Sequence, residues 1–112
     1  MVTAPTDKLV DCPALAALSV ISGKWTTRIL WVLREGSCDF GALRRALGGV
    51  SAKVLTDHLK ALEAEGVILR RERSEAGVVH VSYAYSDYGR TLIPALDALG
   101  QWGLTHAARD RG

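Results

Sequence analysis

The feature that most constrains the fold is a change in the spacing of apolar residues near Gly66. Upstream of it, Leu55, Leu59 and Leu62 recur at helical spacing, which predicts a helix with one buried side. Downstream, "VILRRER" and "VVHVSYAYS" are rich in β-branched and aromatic residues, and "SEAG" separates them. This pattern is typical of an antiparallel hairpin with its turn near residues 75–77. The chain is therefore expected to combine α-helices and β-strands in one fold.

Several further segments have helix signals. "ALAALSVISG" follows Pro13, a residue tolerated in a first helical turn, and "KWTTRILWVLREG" stops at a glycine. Asp39 is a candidate cap for "FGALRRAL", which ends at Gly48-Gly49, and Ser51 is a candidate cap for the next helix. "SCDF" is expected to be a connector or a short strand.

The segment after the hairpin predicts one long C-terminal helix. Ser86 is its candidate cap, and the helix is expected to run from about Asp87 to Ala108. Pro94 lies near its start, where a missing backbone N–H costs least.

Length and composition indicate one small globular domain. The chain has 112 residues and is 48% hydrophobic and 23% charged, and we expect residues 1–112 to form a single unit. Within it we distinguish N-terminal helices (11–36), a helix-turn-helix (39–66), a hairpin (67–86) and a C-terminal helix (87–109). We see no signal peptide or membrane-spanning run and expect a cytoplasmic protein with reduced thiols.

The net charge of +2 is unevenly distributed. Residues 40–73 contain seven Lys or Arg residues against four Asp or Glu residues, whereas the remainder is slightly acidic. A local basic surface on a nearly neutral protein favours a polyanionic partner. Chance clustering would produce the same pattern, so the charge needs support from the order of elements.

The order of elements supplies that support. A winged helix-turn-helix, which is an α+β fold, has this order: two helices joined by a tight glycine turn, then a hairpin, then another helix. In that arrangement the helix after the turn lies in the DNA major groove and the hairpin, or wing, contacts the backbone or the minor groove. We therefore expect double-stranded DNA as the partner.

The sequence also resembles the HxlR-type family of bacterial transcriptional regulators over nearly its whole length. The matching segments are "DCP", "GKWT", "FGALRRAL", "GGVSAKVLTDHLKALEAEGVI", "VSYAYSDYG" and "LIPALDALGQWG". The resemblance implies a homodimer that binds an operator and regulates nearby genes. We expect a repressor that reads a pseudo-palindrome, associated with the bacterial nucleoid, with N- and C-terminal helices forming the dimer interface.

The candidate base-reading residues lie on one side of the helix that begins after Ser51. Ser51 and the first-turn N–H groups favour a phosphate, and Ala52 could touch a thymine methyl group. Our first choices for DNA contact are Lys53, Thr56 and Lys60, although solvated helix positions would look the same. The set also contains Asp57, whose carboxylate repels phosphate but can accept a hydrogen bond from a cytosine amino group.

Arginines on two other elements extend this surface. Arg44 and Arg45 lie on the first helix of the pair and would either contact phosphate or pair with glutamates at 63 and 65. Alternation along the first wing strand places Arg71 and Arg73 on one face and Arg70 on the other. We chose Arg71 and Arg73 as the wing contacts. Relatives often carry Arg in place of His80, so a minor-groove contact from that position is weakened.

The last helix provides the candidate dimer face. Its apolar positions are Leu92, Leu96, Leu99 and Trp102. Trp102 and Trp31 have two interpretations: they pack the dimer interface, or they line a pocket for a small apolar effector.

Two cysteines do not form a disulfide framework, but they are candidate sensors. Cys12 occupies the place of an N-terminal cysteine that several HxlR-type regulators use to sense oxidants or electrophiles, and Cys38 is a candidate partner. A helix N-terminus favours a thiolate, whereas Asp11 opposes it. An inert, packed Cys12 is the alternative.

No motif indicates an enzyme. The sequence lacks a Gly-rich phosphate loop, HExxH and GxSxG, and its histidines and cysteines have no metal-ligand spacing. We therefore expect no catalytic residue, cofactor or metal. The remaining alternative is a winged-helix module that binds protein instead of DNA, from which DNA binding would differ by its steep salt dependence.

Overall fold

A computed structural model describes residues 11–111 of the chain, with side chains through residue 109. The predicted absence of a signal peptide concerns a segment outside these residues. The elements in chain order are α1 (Pro13–Ile21), α2 (Lys24–Leu33), β1 (Cys38–Asp39), α3 (Phe40–Leu47), α4 (Ala52–Ala64), β2 (Ile68–Glu75), β3 (Val78–Tyr85), α5 (Asp87–Arg90) and α6 (Ile93–Arg111). This order confirms the α+β class and the winged helix-turn-helix prediction.

Three helices begin at the side-chain caps predicted for them. Asp39 Oδ1, Ser51 Oγ and Ser86 Oγ each accept a hydrogen bond from the backbone N–H three residues further on, at 2.7, 3.1 and 2.8 Å. Each cap satisfies one N–H group that the first helical turn leaves without a partner. The starts of α3, α4 and α5 are therefore determined locally.

The three strands form one antiparallel sheet in the order β1-β3-β2. The wing is the β2–β3 hairpin, and Ala76 and Gly77 form its two-residue turn with φ values of 50° and 78°. Positive φ at both turn positions matches the twist of a tight hairpin. The turn confirms the predicted position.

The core lies between the helices and the end of the sheet that holds Ile68, Tyr83 and Tyr85. The buried apolar side chains include the predicted stripe of α4, namely Leu55, Leu59 and Leu62. Tyr85 joins the sheet to α2 because its hydroxyl donates a hydrogen bond of 2.6 Å to the Leu30 carbonyl. Burial raises the pKa of Tyr85 to about 12, so its hydroxyl stays a donor well into the alkaline range.

The C-terminal segment differs from the single helix predicted for residues 87–108. It is broken between α5 and α6, where the N–H groups of Thr91 and Leu92 bond to carbonyls three residues earlier. Pro94 explains the break: its ring excludes the regular helical position of the Arg90 carbonyl, four residues earlier, and proline has no N–H to donate to it. The prediction of a continuous helix is therefore wrong.

The predicted dimer face of this segment also needs a correction. Leu96 is only 2% exposed and belongs to the core of its own chain, so its side chain is not available to a partner. Leu92 is partly buried and packs against the same core. Leu99 and Trp102, at 52% and 67% exposure, remain open on the surface. The N-terminal turns of α6 thus anchor the helix, and its apolar side chains become exposed further along.

The anchor of α6 consists of contacts with α2. The Arg34 guanidinium stacks on the Trp31 ring at 3.7 Å and lies 3.6 Å from the Asp97 carboxylate. The same indole packs against Gly100, where an added Cβ would overlap it, lying 2.8 Å from Trp31 Cζ3. These contacts favour packing over effector binding as the role of Trp31.

No helix within residues 11–111 is long and apolar enough to cross a membrane.

Two glycines of α6 provide a matched test of this anchor. Gly100→Ala should destabilise the fold by about 1–3 kcal/mol, because the new methyl group must displace the Trp31 indole. Gly103→Ala should stabilise it by about 0.5–1 kcal/mol, because Gly103 has no neighbour within 4 Å of an added Cβ and Ala favours a helix. Urea unfolding at one protein concentration measures both. Equal effects of the two substitutions would contradict the packing.

Candidate nucleic-acid interface

Helix α4 separates its residues into a buried and an open side. Leu55 and Leu59 are fully buried, and Leu62 nearly so. The opposite side is open to solvent along the first three turns and carries four of the predicted contact residues, of which Thr56 is half-buried and the others exposed: Lys53, Thr56, Asp57 and Lys60. Ser51 and Ala52 are exposed at the N-terminal end of the helix.

An ion pair that the sequence reasoning did not predict spans this surface. Lys53 Nζ lies 2.9 Å from Asp57 Oδ2, one helical turn away. The hydrogen bond from Lys53 lowers the pKa of Asp57, and Lys60 and His58 contribute in the same direction. Because both partners are exposed, the pair is weak and can open when a nucleic acid approaches. The pair orients the two side chains toward each other across the first turns of α4.

Arg44 and Arg45 flank the turn between α3 and α4. Arg44 Nε donates a hydrogen bond of 3.0 Å to the Val50 carbonyl. Within residues 11–109 neither arginine pairs with Glu63 or Glu65, which was the alternative to phosphate contact. Both arginines line a cleft of about 540 Å³ together with the glycines of the turn. Their charge is therefore available next to the start of α4.

The wing presents its arginines on two faces. Arg70 lies opposite Tyr83 in the sheet register and is on the face directed toward α4, where it shares a cleft with Thr56 and Lys60. Arg71 and Arg73 lie on the other face, and Arg73 is 3.7 Å from Glu75. The predicted pair therefore points away from α4.

Arg70 is the residue that the sequence reasoning passed over. Strand alternation places it in phase with Ile68, which is buried, but residues 67–69 are all apolar and do not show from sequence which phase of the strand faces the core. Its guanidinium donates a 2.6 Å hydrogen bond to Glu72. This hydrogen bond raises the pKa of Arg70.

The histidines and cysteines do not assemble into a site. His58 Nδ1 lies 3.0 Å from Thr26 Oγ1, a contact that joins α4 to α2. In the described part of the chain no group of three His, Cys, Asp or Glu residues could hold a metal ion. Cys12 is exposed at the cap position of α1, whereas Cys38 is half-buried. Cys12 is therefore the more accessible thiol. Burial, followed by the charge of Asp39, raises the pKa of Cys38.

Comparison with known proteins decides the family. The family model for the HxlR-like helix-turn-helix matches residues 20–111. The chain belongs to this family. Its match includes both helices of the helix-turn-helix pair, the wing and α6, and it begins after Cys12. Relatives of this chain are named HTH-type transcriptional regulators, so the chain is a DNA-binding transcriptional regulator and not an enzyme.

Individual relatives agree with this assignment. The HTH-type transcriptional regulator YdzF of Bacillus subtilis (strain 168) is 41% identical over 95 residues, which cover 84% of this chain and 86% of YdzF. The redox regulator HypR in its reduced form superposes with a TM-score of 0.79 at 29% identity, covering 85% of this chain and 93% of HypR. The HTH-type regulator ytcD superposes with a TM-score of 0.76 at 35% identity, covering 95% and 99% of the two chains.

Proposed function

We propose that this HxlR-like protein represses transcription by binding a pseudo-palindromic operator in double-stranded DNA as a homodimer. The observation that carries the proposal is the open polar side of α4, which a fully buried leucine stripe holds outward. In a helix-turn-helix, the N-terminal residues of the second helix reach base edges in the major groove. Here those residues are Ser51, Ala52, Lys53, Thr56 and Asp57, with Lys60 one turn further on.

Phosphate contacts come from the elements on either side of α4. Arg44 and Arg45 lie beside the turn, where they can reach one strand of the backbone. On the wing, Arg70 faces α4, while Arg71 and Arg73 remain candidates for contacts from the outer face. Such contacts position the protein on DNA without reading sequence.

Exposed apolar side chains support the homodimer. Every described side chain from residue 101 to residue 109 is exposed, and Trp102 and Leu104 are 67% and 68% accessible. On α1, Leu15 and Leu18 are about half exposed. Apolar groups of this size concentrated on two helices mark a protein–protein contact. We propose that α6 packs against α1 and α6 of the partner around a two-fold axis.

We place this regulator in the bacterial cytoplasm, where its DNA target lies in the nucleoid. This placement rests on the proposed operator binding.

Lys53→Ala tests the reading surface. The substitution should weaken operator binding by about 1–3 kcal/mol, with relaxed preference at one base pair if Lys53 reads a base, or with equal loss on all sequences if it binds phosphate. Lys24→Ala removes the same charge from the exposed start of α2 and should change affinity little. Fluorescence anisotropy with labelled promoter DNA measures both. Equal affinities for wild type and Lys53→Ala would remove Lys53 from the interface.

Trp102→Glu tests the dimer. A carboxylate in place of this exposed indole should produce monomers with weak operator binding, because a charge buried without a partner destabilises an interface. Tyr88→Glu is the matched control, since Tyr88 is 68% exposed on α5, outside the proposed contact. Analytical ultracentrifugation gives the oligomeric state. A monomeric wild type that binds a single half-site would contradict the dimer.

We also propose that Cys12 makes the regulator responsive to oxidants. The specific support is its exposed position at the cap of α1, on the element proposed for the dimer contact, together with the likeness to HypR. Diamide would oxidise two thiols to a disulfide, taking up two electrons and two protons to become the hydrazine. The second thiol is either Cys12 of the partner subunit or Cys38. Either bond would change the spacing of the two α4 helices.

Single cysteine substitutions test this response. Diamide should release wild-type protein from promoter DNA, and Cys12→Ser should stay bound. If Cys38→Ser also stays bound, the bond is between Cys12 and Cys38; if it is released, the bond joins two Cys12 residues. Non-reducing electrophoresis identifies the linked species. Unchanged DNA affinity and unmodified thiols after treatment would make Cys12 structural.

A further inference from the structure

A cleft of about 520 Å³ lies between α4 and the wing. One wall consists of Thr56, Lys60 and Glu63, which recur at helical spacing along α4. The other wall is the face of the hairpin that is directed toward α4. The cleft is distinct from the arginine-lined cleft at the turn, with which it shares no residue. Its volume lies in the range of sites for small organic ligands.

The floor of the cleft is apolar. Val79, Val81 and Tyr83 alternate along β3 so that all three side chains share one face, and Phe40 adds a second aromatic ring at the start of α3. Val79 is 58% exposed although it lies on the same face of the strand as buried Tyr83. The chain's own core therefore ends partway along β3 and leaves an uncovered apolar strip.

Two cations border this strip. Lys60 is exposed and forms no ion pair within residues 11–109. The Arg70 guanidinium donates a hydrogen bond to Glu72, and its five N–H groups exceed what this one partner can accept. Glu63 is the one carboxylate in the lining. Its negative charge repels an anionic group, so such a group is expected at the Lys60–Arg70 end.

From this arrangement we infer that the cleft between α4 and the wing binds a small amphipathic monoanion with a flat apolar body, of the aromatic carboxylate class. The carboxylate lies between Lys60 and Arg70, and the ring system covers Val79 and Val81 next to the buried Tyr83. A guanidinium binds a carboxylate with two parallel hydrogen bonds, which suits an arginine at the edge of an apolar surface. A DNA phosphate is a less suitable occupant of this cleft than an aromatic carboxylate, because a phosphate would leave Val79 and Val81 uncovered.

The consequence for regulation rests on the proposed operator binding. Thr56 and Lys60 belong both to the cleft and to the surface of α4 that we assign to DNA. A bound carboxylate would offset the charge of Lys60, which has no ion pair of its own within residues 11–109, and would occupy the space beside the phosphate backbone. Ligand and operator are therefore expected to compete, so the ligand acts as an inducer.

The test uses 2-naphthoate as the probe and isothermal titration calorimetry on the full chain without DNA. Wild type should bind one molecule per chain, and the neutral 2-naphthamide and the cationic 2-naphthylmethylamine should each bind at least fivefold more weakly. Lys60→Met and Arg70→Met should each lower the 2-naphthoate affinity about fivefold or more. Val79→Asp should do the same, because it places a negative charge on the uncovered strip at an exposed position that the fold tolerates.

Lys24→Met is the control, since Lys24 is an exposed cation at the start of α2, outside the cleft, and its 2-naphthoate affinity should equal that of wild type. Thermal unfolding of each variant identifies any loss of fold. Absence of 2-naphthoate binding, equal binding of the three probes, or binding that Lys60→Met, Arg70→Met and Val79→Asp leave intact would each overturn the inference. If the protein binds promoter DNA but does not bind 2-naphthoate, only the ligand site in the cleft is refuted. If it binds 2-naphthoate at the cleft but does not bind DNA, only the proposed function is refuted.

Discussion

The burial of one leucine stripe determines what the rest of this protein can do. Leu55, Leu59 and Leu62 fix the rotation of α4 about its own axis, since each is almost completely removed from solvent. Burying a leucine side chain contributes about 1.5–3 kcal/mol, so a rotation that exposed the stripe would cost several times that. The polar residues on the opposite side are therefore held outward. The Ser51 cap fixes where the helix starts, and hence which residues form its first turn.

The C-terminal helix has two functions along its length. Its N-terminal part is held against α2 by the Trp31–Gly100 packing and the Arg34–Asp97 ion pair, while Leu96 enters the core. Its distal part has no cover within residues 11–109 and exposes Trp102 and Leu104. In the proposed dimer, the angle at which α6 leaves α2 would set the distance between the two α4 helices. The packing around Gly100 would thereby influence operator spacing without touching DNA.

Sequence reasoning predicted the parts of the structure that depend on local chemistry. The caps at Asp39, Ser51 and Ser86, the hairpin turn and the leucine stripe follow from short-range rules and are confirmed. It did not predict the break before α6, although Pro94 supplied the signal, because a proline within the first turns of a helix is compatible with either arrangement. Leu96 was misassigned because periodicity identifies an apolar face without identifying what covers it.

The candidate site was predicted less completely than the fold. The residues of α4 could be identified because a helix with one buried stripe presents a defined opposite side. The Lys53–Asp57 pair depends on rotamers, and the assignment of Arg70 to the side facing α4 depends on how the hairpin packs. The cleft between α4 and the wing is lined by residues from α3, α4, β2 and β3, and no local sequence pattern predicts that these residues lie together.

In the proposed complex, this fold presents a cationic surface to the DNA backbone around the base-reading helix α4. The most direct measurement is the dissociation constant for the DNA upstream of its own gene as a function of salt concentration. If Arg44, Arg45, Lys60 and Arg70 of two subunits contact phosphate, these eight contacts should make the logarithm of the association constant fall with log[salt] with a slope of about −7. Promoter DNA should also bind more tightly than a scrambled duplex at every salt concentration. A slope near zero, or equal affinity for both duplexes, would contradict the account.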